Sequence, residues 1–147
     1  MTKHTILNPE ATGEDIEEQE ITLWPDHCVQ GTPGCELIPE LDRSTLHRTI
    51  KKGIDRRVEA YSGFGPPFRK PEVAMSTLSD LLSSNNIKKV YVCGLALDYC
   101  VKCTAIDAAK AGYETFVIED ATKAVDQSEE GLKATKREME EHGVTFI

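Results

Sequence analysis

No stretch of this sequence stays apolar for long. Nothing approaches the roughly 18 apolar residues that a membrane-spanning helix needs, so no membrane span is expected. The opening "MTKHTILNPE" has no apolar segment of the kind a signal peptide carries, so export is not expected either. Basic residues are in the minority: 17 Lys and Arg against 25 Asp and Glu give a net charge of −8. That balance speaks against nucleic acid and anionic membranes as partners. An even cysteine count is also missing. Five cysteines in 147 residues do not suggest a disulfide framework, so a reducing, intracellular and most simply cytoplasmic setting is expected. There is no internal repeat.

What is present suits one soluble domain, with 39% hydrophobic and 29% charged residues. Residues 1–22 differ from the rest. "TGEDIEEQE" has five acidic residues in nine positions and no apolar period, which implies a solvated acidic loop or insert. The remaining 23–147 carry the domain. After the turn-rich "LWPDHCVQGTPG", a short strand is expected at about Leu46 to Lys51. "EVAMSTLSDLLSSNN" places Met75, Leu78, Leu81 and Leu82 on one helical face. "KKVYVCG" reads as a strand ending at Gly94, and "CVKCTAIDAAKAG" as an Ala-rich helix closed by Gly112. "YETFVIED" is the next strand. Asp126 and Glu129 have capping-box spacing before the helix "SEEGLKATKREMEEHG", and "VTFI" is a last strand. Alternating strands and helices argue an α/β fold: a parallel sheet of about four strands with helices on both faces. Ligands in such folds sit outside the carboxyl ends of the strands.

"CGLALDYCVKCTA" meets that rim and holds three cysteines within eleven positions. Cys100 follows a strand and opens a helix, where unpaired amides and the helix dipole favour a thiolate. The plainer alternative is a small buried hydrophobe. Cys103, in an apolar run, fits that structural role, and Cys28, Cys35 and Cys93 are expected to be packing residues. Cys100 and Cys103 also form a C-x-x-C, which leaves a thiol-redox pair or half of a zinc site open. Lys52, in "KKG", is either a solvated lysine or a partner for a thiolate. His27, in "LWPDHC", is a loop histidine or a metal ligand. Trp24, Tyr61 and Tyr99 are core aromatics or the wall of a pocket.

Taken in order, "LWPDHCVQGTPG", "KKGIDRRVEAYSGF", "VYVCGLALDYCVKCTAIDAAKAGYET" and "VIEDATKAV" resemble nicotinamidases of the isochorismatase-like cysteine hydrolase superfamily. The resemblance implies a three-layer sandwich lacking its N-terminal strands, with 23–147 as the C-terminal part of the domain. It implies hydrolysis of nicotinamide, or a similar small aromatic amide, to nicotinate and ammonia in NAD salvage. Cys100 would be the nucleophile that forms a thioester, and Lys52 would stabilise its thiolate. The N–H groups of Ala96 and Cys100 would form the oxyanion hole, beside a cis peptide between Leu95 and Ala96. Trp24, Tyr61, Tyr99 and Ala96 would line the substrate pocket. His27 would be one ligand of a divalent metal, zinc by resemblance. The family's catalytic aspartate and D-x-H ligand pair have no match here, and Asp26 beside His27 does not supply them. Weak activity of the chain alone is therefore expected. Two alternatives stand beside it: an inactive remnant that binds a partner, and a thiol-redox protein. A homo-oligomer is compatible with the sequence.

Overall fold

The computed structural model describes residues 2–14 and 16–147. Its first element departs from the expected acidic loop. Strands β1 (Lys3–Leu7) and β2 (Glu18–Thr22) pair antiparallel, with Lys3 opposite Thr22 and Leu7 opposite Glu18. The physical reason lies in partners that composition does not reveal. The Glu17 carboxylate accepts from the backbone N–H groups of Arg69 (2.8 Å) and Lys70 (2.7 Å). Those bonds, the one from Lys70 foremost, hold its carboxyl below the usual carboxylate range. Asn8 is buried and donates to the Pro71 carbonyl at 2.9 Å. Ile6 packs on a small cluster of Val58, Phe68 and Val73. An acidic stretch can thus be ordered by anchoring a single carboxylate.

The expected strand at Leu46 to Lys51 does not form. Strand propensity is realised only against a ladder partner, and residues 25–49 lie exposed throughout. The helix expected from "EVAMSTLSDLLSSNN" shortens to α1 (Leu78–Ser84). Ser76 explains the late start. Its hydroxyl donates to the Gly63 carbonyl (2.6 Å) and accepts from the Leu78 N–H (3.1 Å), a local side-chain turn just ahead of the N-cap Thr77. Val73 meanwhile belongs to the small cluster, and Met75 lies against Gly65.

The α/β expectation holds for the rest. Strands β3 (Lys89–Leu95), β4 (Glu114–Lys123) and β5 (Val144–Phe146) form a parallel sheet in the order β3-β4-β5. That is three strands, not the four expected, because residues 46–51 stay outside it. Between β3 and β4 the chain makes a π turn (Leu97–Val101) and helix α2 (Lys102–Lys110), then reverses at Gly112 with φ 91°. Helix α3 (Glu129–Glu141) links β4 to β5. Its cap is Ser128, whose hydroxyl accepts from the Gly131 N–H at 3.1 Å. Asp126 does not cap the helix as expected; it accepts from the Ser128 N–H and so holds the cap residue in place.

Val117, Val144, Leu97, Val101, Ala105, Ile106 and Met139 make the main core, so α2 and α3 both pack on the same face of the sheet. The expected helical cover is realised on that face. The opposite one presents Tyr91, stacked on Phe116 at 4.9 Å, with Tyr91 54% and Leu95 73% exposed. Among the described residues no helix is long and apolar enough to cross a membrane.

Candidate active site

Strand β3 delivers the chain to the rim of the sheet. The Leu95–Ala96 peptide is cis. The Ala96 carbonyl accepts from the N–H groups of Tyr99 (3.1 Å) and Val101 (3.0 Å), winding the turn that carries Cys100. Asp98 anchors this turn to the end of β4, its carboxylate accepting from the N–H groups of Val125 and Asp126 at 2.9 Å each. Both carboxylate oxygens are thereby engaged in holding the rim together.

Lys52 reaches Cys100 from an exposed loop rather than from the strand end expected of it. Its Nζ lies 3.3 Å from Cys100 Sγ and donates to the Ala60 carbonyl at 2.7 Å. The carbonyl fixes the ammonium, and the ammonium places a full positive charge against the sulfur. Such a contact favours a thiolate.

Aromatic rings gather beside this pair. Trp24 Nε1 donates to the Tyr61 hydroxyl at 3.0 Å, and the Trp24 ring meets Tyr99 edge-on at 4.7 Å. Tyr61 and Tyr99 stand 5.4 Å apart. Residues separated by more than seventy positions thus form one wall, with Tyr99 adjoining the candidate nucleophile. A cleft of about 640 Å³ is lined by Tyr61, Tyr99, Arg69, Lys102, Cys103 and His142, among others, but by neither Cys100 nor Lys52. The Lys52–Cys100 contact, not that cleft, defines the candidate site.

His27 sits at the outer side of the wall, 6.5 Å from the Trp24 ring. Its Nδ1 lies 2.7 Å from the Pro25 carbonyl. A carbonyl can only accept, so Nδ1 donates to it, which leaves Nε2 as the ring nitrogen that could face a metal. The donor set around it does not complete a site. Among the described residues no three His, Cys, Asp or Glu side chains come together, and a zinc site ordinarily draws on at least three protein ligands. No chemical step here is therefore assigned to a metal.

The remaining cysteines divide differently from expectation. Cys28, Cys35 and Cys93 are exposed, so they are not packing residues; Cys103 is half-buried, as its apolar neighbours imply. Burial pushes the Cys103 thiol up to about 11. Thr104, which no motif in the sequence marks, also belongs to the site. Its hydroxyl donates to the Cys100 carbonyl (2.6 Å) and accepts from the Gly63 N–H (2.8 Å), tying the Cys100 turn to the loop bearing Tyr61. A threonine four residues after Cys100 in a helical run is the available signal, since such hydroxyls bond back one turn.

The chain as a whole has relatives among known proteins. The chain belongs to the isochorismatase domain family, whose model matches residues 2–147. Within that family it is 43% identical over 125 residues to a nicotinamidase of Acinetobacter baylyi, covering 85% of this chain and 56% of the relative. It superposes on the yeast nicotinamidase Pnc1p bound to the inhibitor nicotinaldehyde with a TM-score of 0.88 at 31% identity, covering 99% of this chain and 67% of the other. A Pyrococcus horikoshii pyrazinamidase in complex with zinc matches with a TM-score of 0.66 at 34% identity, covering 85% and 63% of the two chains. The chain spans 50–62% of the length of the nicotinamidases it matches in sequence.

Proposed function

We propose that this chain carries the nucleophile side of a nicotinamide amidohydrolase. The observation that carries this reading is the Lys52 ammonium held 3.3 Å from Cys100 at the rim of a parallel sheet. An amide carbon is a poor electrophile and needs a thiolate rather than a thiol. Cys100 attacks the carboxamide carbon, and the charge developing on oxygen meets the N–H groups of Ala96 and Cys100 in the turn that follows β3. Ammonia leaves with one proton, a thioester remains, and water releases nicotinate and restores the thiol. The products place the reaction in NAD salvage.

Trp24, Tyr61 and Tyr99 form the face against which a flat pyridine ring stacks. The nicotinaldehyde bound to the yeast relative and the zinc bound to the archaeal one support a small aromatic substrate and a divalent metal for the family. His27 is this chain's contribution to such a metal. A group that moves protons is still needed. Among the described residues, no carboxylate hydrogen-bonds the Cys100 or Lys52 side chain, whose bonds run to each other and to the Ala60 carbonyl. Positioned acid–base help is worth roughly 10²- to 10⁴-fold in rate, so the 147 residues alone are expected to turn over slowly.

The test is ammonia release from nicotinamide by this chain and by the same chain extended with the N-terminal third of the A. baylyi relative. The extended protein is expected to release ammonia, the short one barely, and Cys100→Ala in the extended protein none. An extended, folded protein with no release would leave an inactive remnant as the better description.

A further inference from the structure

We propose that Cys100 and Cys103 are a modification site: a dithiol that hydrogen peroxide converts to a disulfide, with Cys103 rescuing the oxidised Cys100. The proposal rests on Cys100 being the reactive thiolate of the site described above. Both thiols are free and half-buried in the same turn-to-helix segment, whereas Cys28, Cys35 and Cys93 stand exposed on other elements. Residues three apart on a helix have Cα atoms about 5 Å from each other, inside the roughly 4.4–6.8 Å range that a disulfide spans.

The two thiols are unequal, and their inequality assigns the roles. Cys100 has an ammonium at 3.3 Å, and the thiolate that such a charge favours is the form peroxide attacks. Among the described residues no lysine is bonded to the Cys103 sulfur, and that group is kept as a thiol, chiefly by burial, with Cys100 among the groups acting in the same direction. Cys100 is therefore oxidised first. Its sulfur takes one oxygen of the peroxide, the O–O bond breaks, and hydroxide leaves and is protonated to water. The product is a sulfenic acid. Cys103 sulfur then attacks Cys100 sulfur; the S–S bond forms, the S–O bond breaks, and the Cys103 proton leaves with the hydroxide as a second water. Two thiols have lost two electrons to one peroxide. Excess thiol reverses the change. Without Cys103 the sulfenic acid has no adjacent partner and proceeds to sulfinic acid, which thiols do not reduce.

Lys102 lies between the two cysteines, so trypsin separates them into peptides 90–102 and 103–110. The reduced, intact chain is treated with hydrogen peroxide, the remaining thiols are blocked, and the digest is analysed without reduction. The expected result is a cross-linked pair of these peptides, lighter by two hydrogens and released by dithiothreitol, with fragmentation placing the link at Cys100 rather than Cys93. In Cys103→Ser and Cys103→Ala, sulfinic acid at Cys100 is expected to rise severalfold. Sulfinic acid forming at Cys100 equally fast with Cys103 present, or a link to Cys93, would overturn the proposal. Iodoacetamide mapping of the same protein separates the two readings. If Cys100 alkylates first yet no cross-link forms, only the dithiol fails; if Cys100 does not alkylate first, the nucleophile reading fails.

Discussion

Lys52 Nζ stands 3.3 Å from Cys100 Sγ, although 48 residues separate them in the chain. The Ala60 carbonyl holds the ammonium from behind. The Cys100 sulfur has that charge beside it, whereas the half-buried Cys103 has no such contact. Iodoacetamide at neutral pH is therefore expected to label Cys100 well before Cys103. Lys52→Met removes an exposed charge pair, and exposed pairs contribute up to about 1 kcal/mol, so labelling of Cys100 should slow up to about fivefold. Peptide mapping over time measures both rates. Unchanged labelling in Lys52→Met would mean that the lysine does not act on the sulfur.

Cys103 gives a pH dependence of the opposite kind. Burial is the main reason its thiol is raised to about 11 from an ordinary 9.0, with Asp107, Cys100 and Glu138 adding to the effect and Lys102 opposing it. The fold favours the protonated form, so this contribution is complete below about pH 9 and is lost as pH rises through 11. With the thiol partly exposed, the loss is about 1–2 kcal/mol. Urea unfolding at a series of pH values across that window should show the decline, and Cys103→Ala should flatten it. A decline of equal size in Cys103→Ala would assign it to other groups.

Thr104 is expected to matter through two hydrogen bonds rather than through contact with a substrate. Thr104→Val leaves the Gly63 N–H, now bonded at 2.8 Å, without its acceptor. Stranding such a group costs about 1–3 kcal/mol. Thr104→Ser keeps the hydroxyl and should recover most of the loss. Urea midpoints of the three proteins decide it; equal midpoints for Val and Thr would show that the tie carries no stability.

The elements legible in the sequence are those whose partners lie nearby in the chain. β3, α2, β4, α3 and β5 follow one another with glycine at Gly112 and Gly143, and they share one core. The Cys100 position was legible for the same reason, being the strand-to-helix junction of one such unit. Elements that depend on distant partners were not. Glu17 is structured by backbone amides more than fifty residues away, and "TGEDIEEQE" contains no local sign of that. Leu46 to Lys51 has the composition of a strand, but composition supplies no ladder. Thr104 bonds both to its own helix and to a loop 41 residues away, and only the first of these is written in its spacing.

Zinc should bind this chain weakly. His27 offers one imidazole, and among the described residues no group of three His, Cys, Asp or Glu side chains could hold a metal ion. One imidazole does not form the three- or four-ligand site of a retained zinc. Dialysis against a mild chelator, followed by elemental analysis, is expected to leave far less than one zinc per chain. Stoichiometric zinc that His27→Ala abolishes would require ligands from a second copy.

The sheet itself supplies the last expectation. Among the described residues β3 pairs with β4 alone, so its other edge offers unpaired backbone groups over the length Lys89–Leu95. On the face away from α2 and α3, Tyr91 and Leu95 are largely exposed and Tyr91 stacks with Phe116. An open edge beside an apolar face is a template for association. Light scattering over a range of concentrations should therefore show self-association. Burying one large apolar side chain is worth about 1.5–3 kcal/mol, so Leu95→Lys should weaken association by about tenfold or more. Lysine at this position also charges the edge, the device by which natural sheets discourage such pairing. A chain that stays monomeric at every concentration, or a Leu95→Lys variant that associates as strongly, would show that this face does not drive contact.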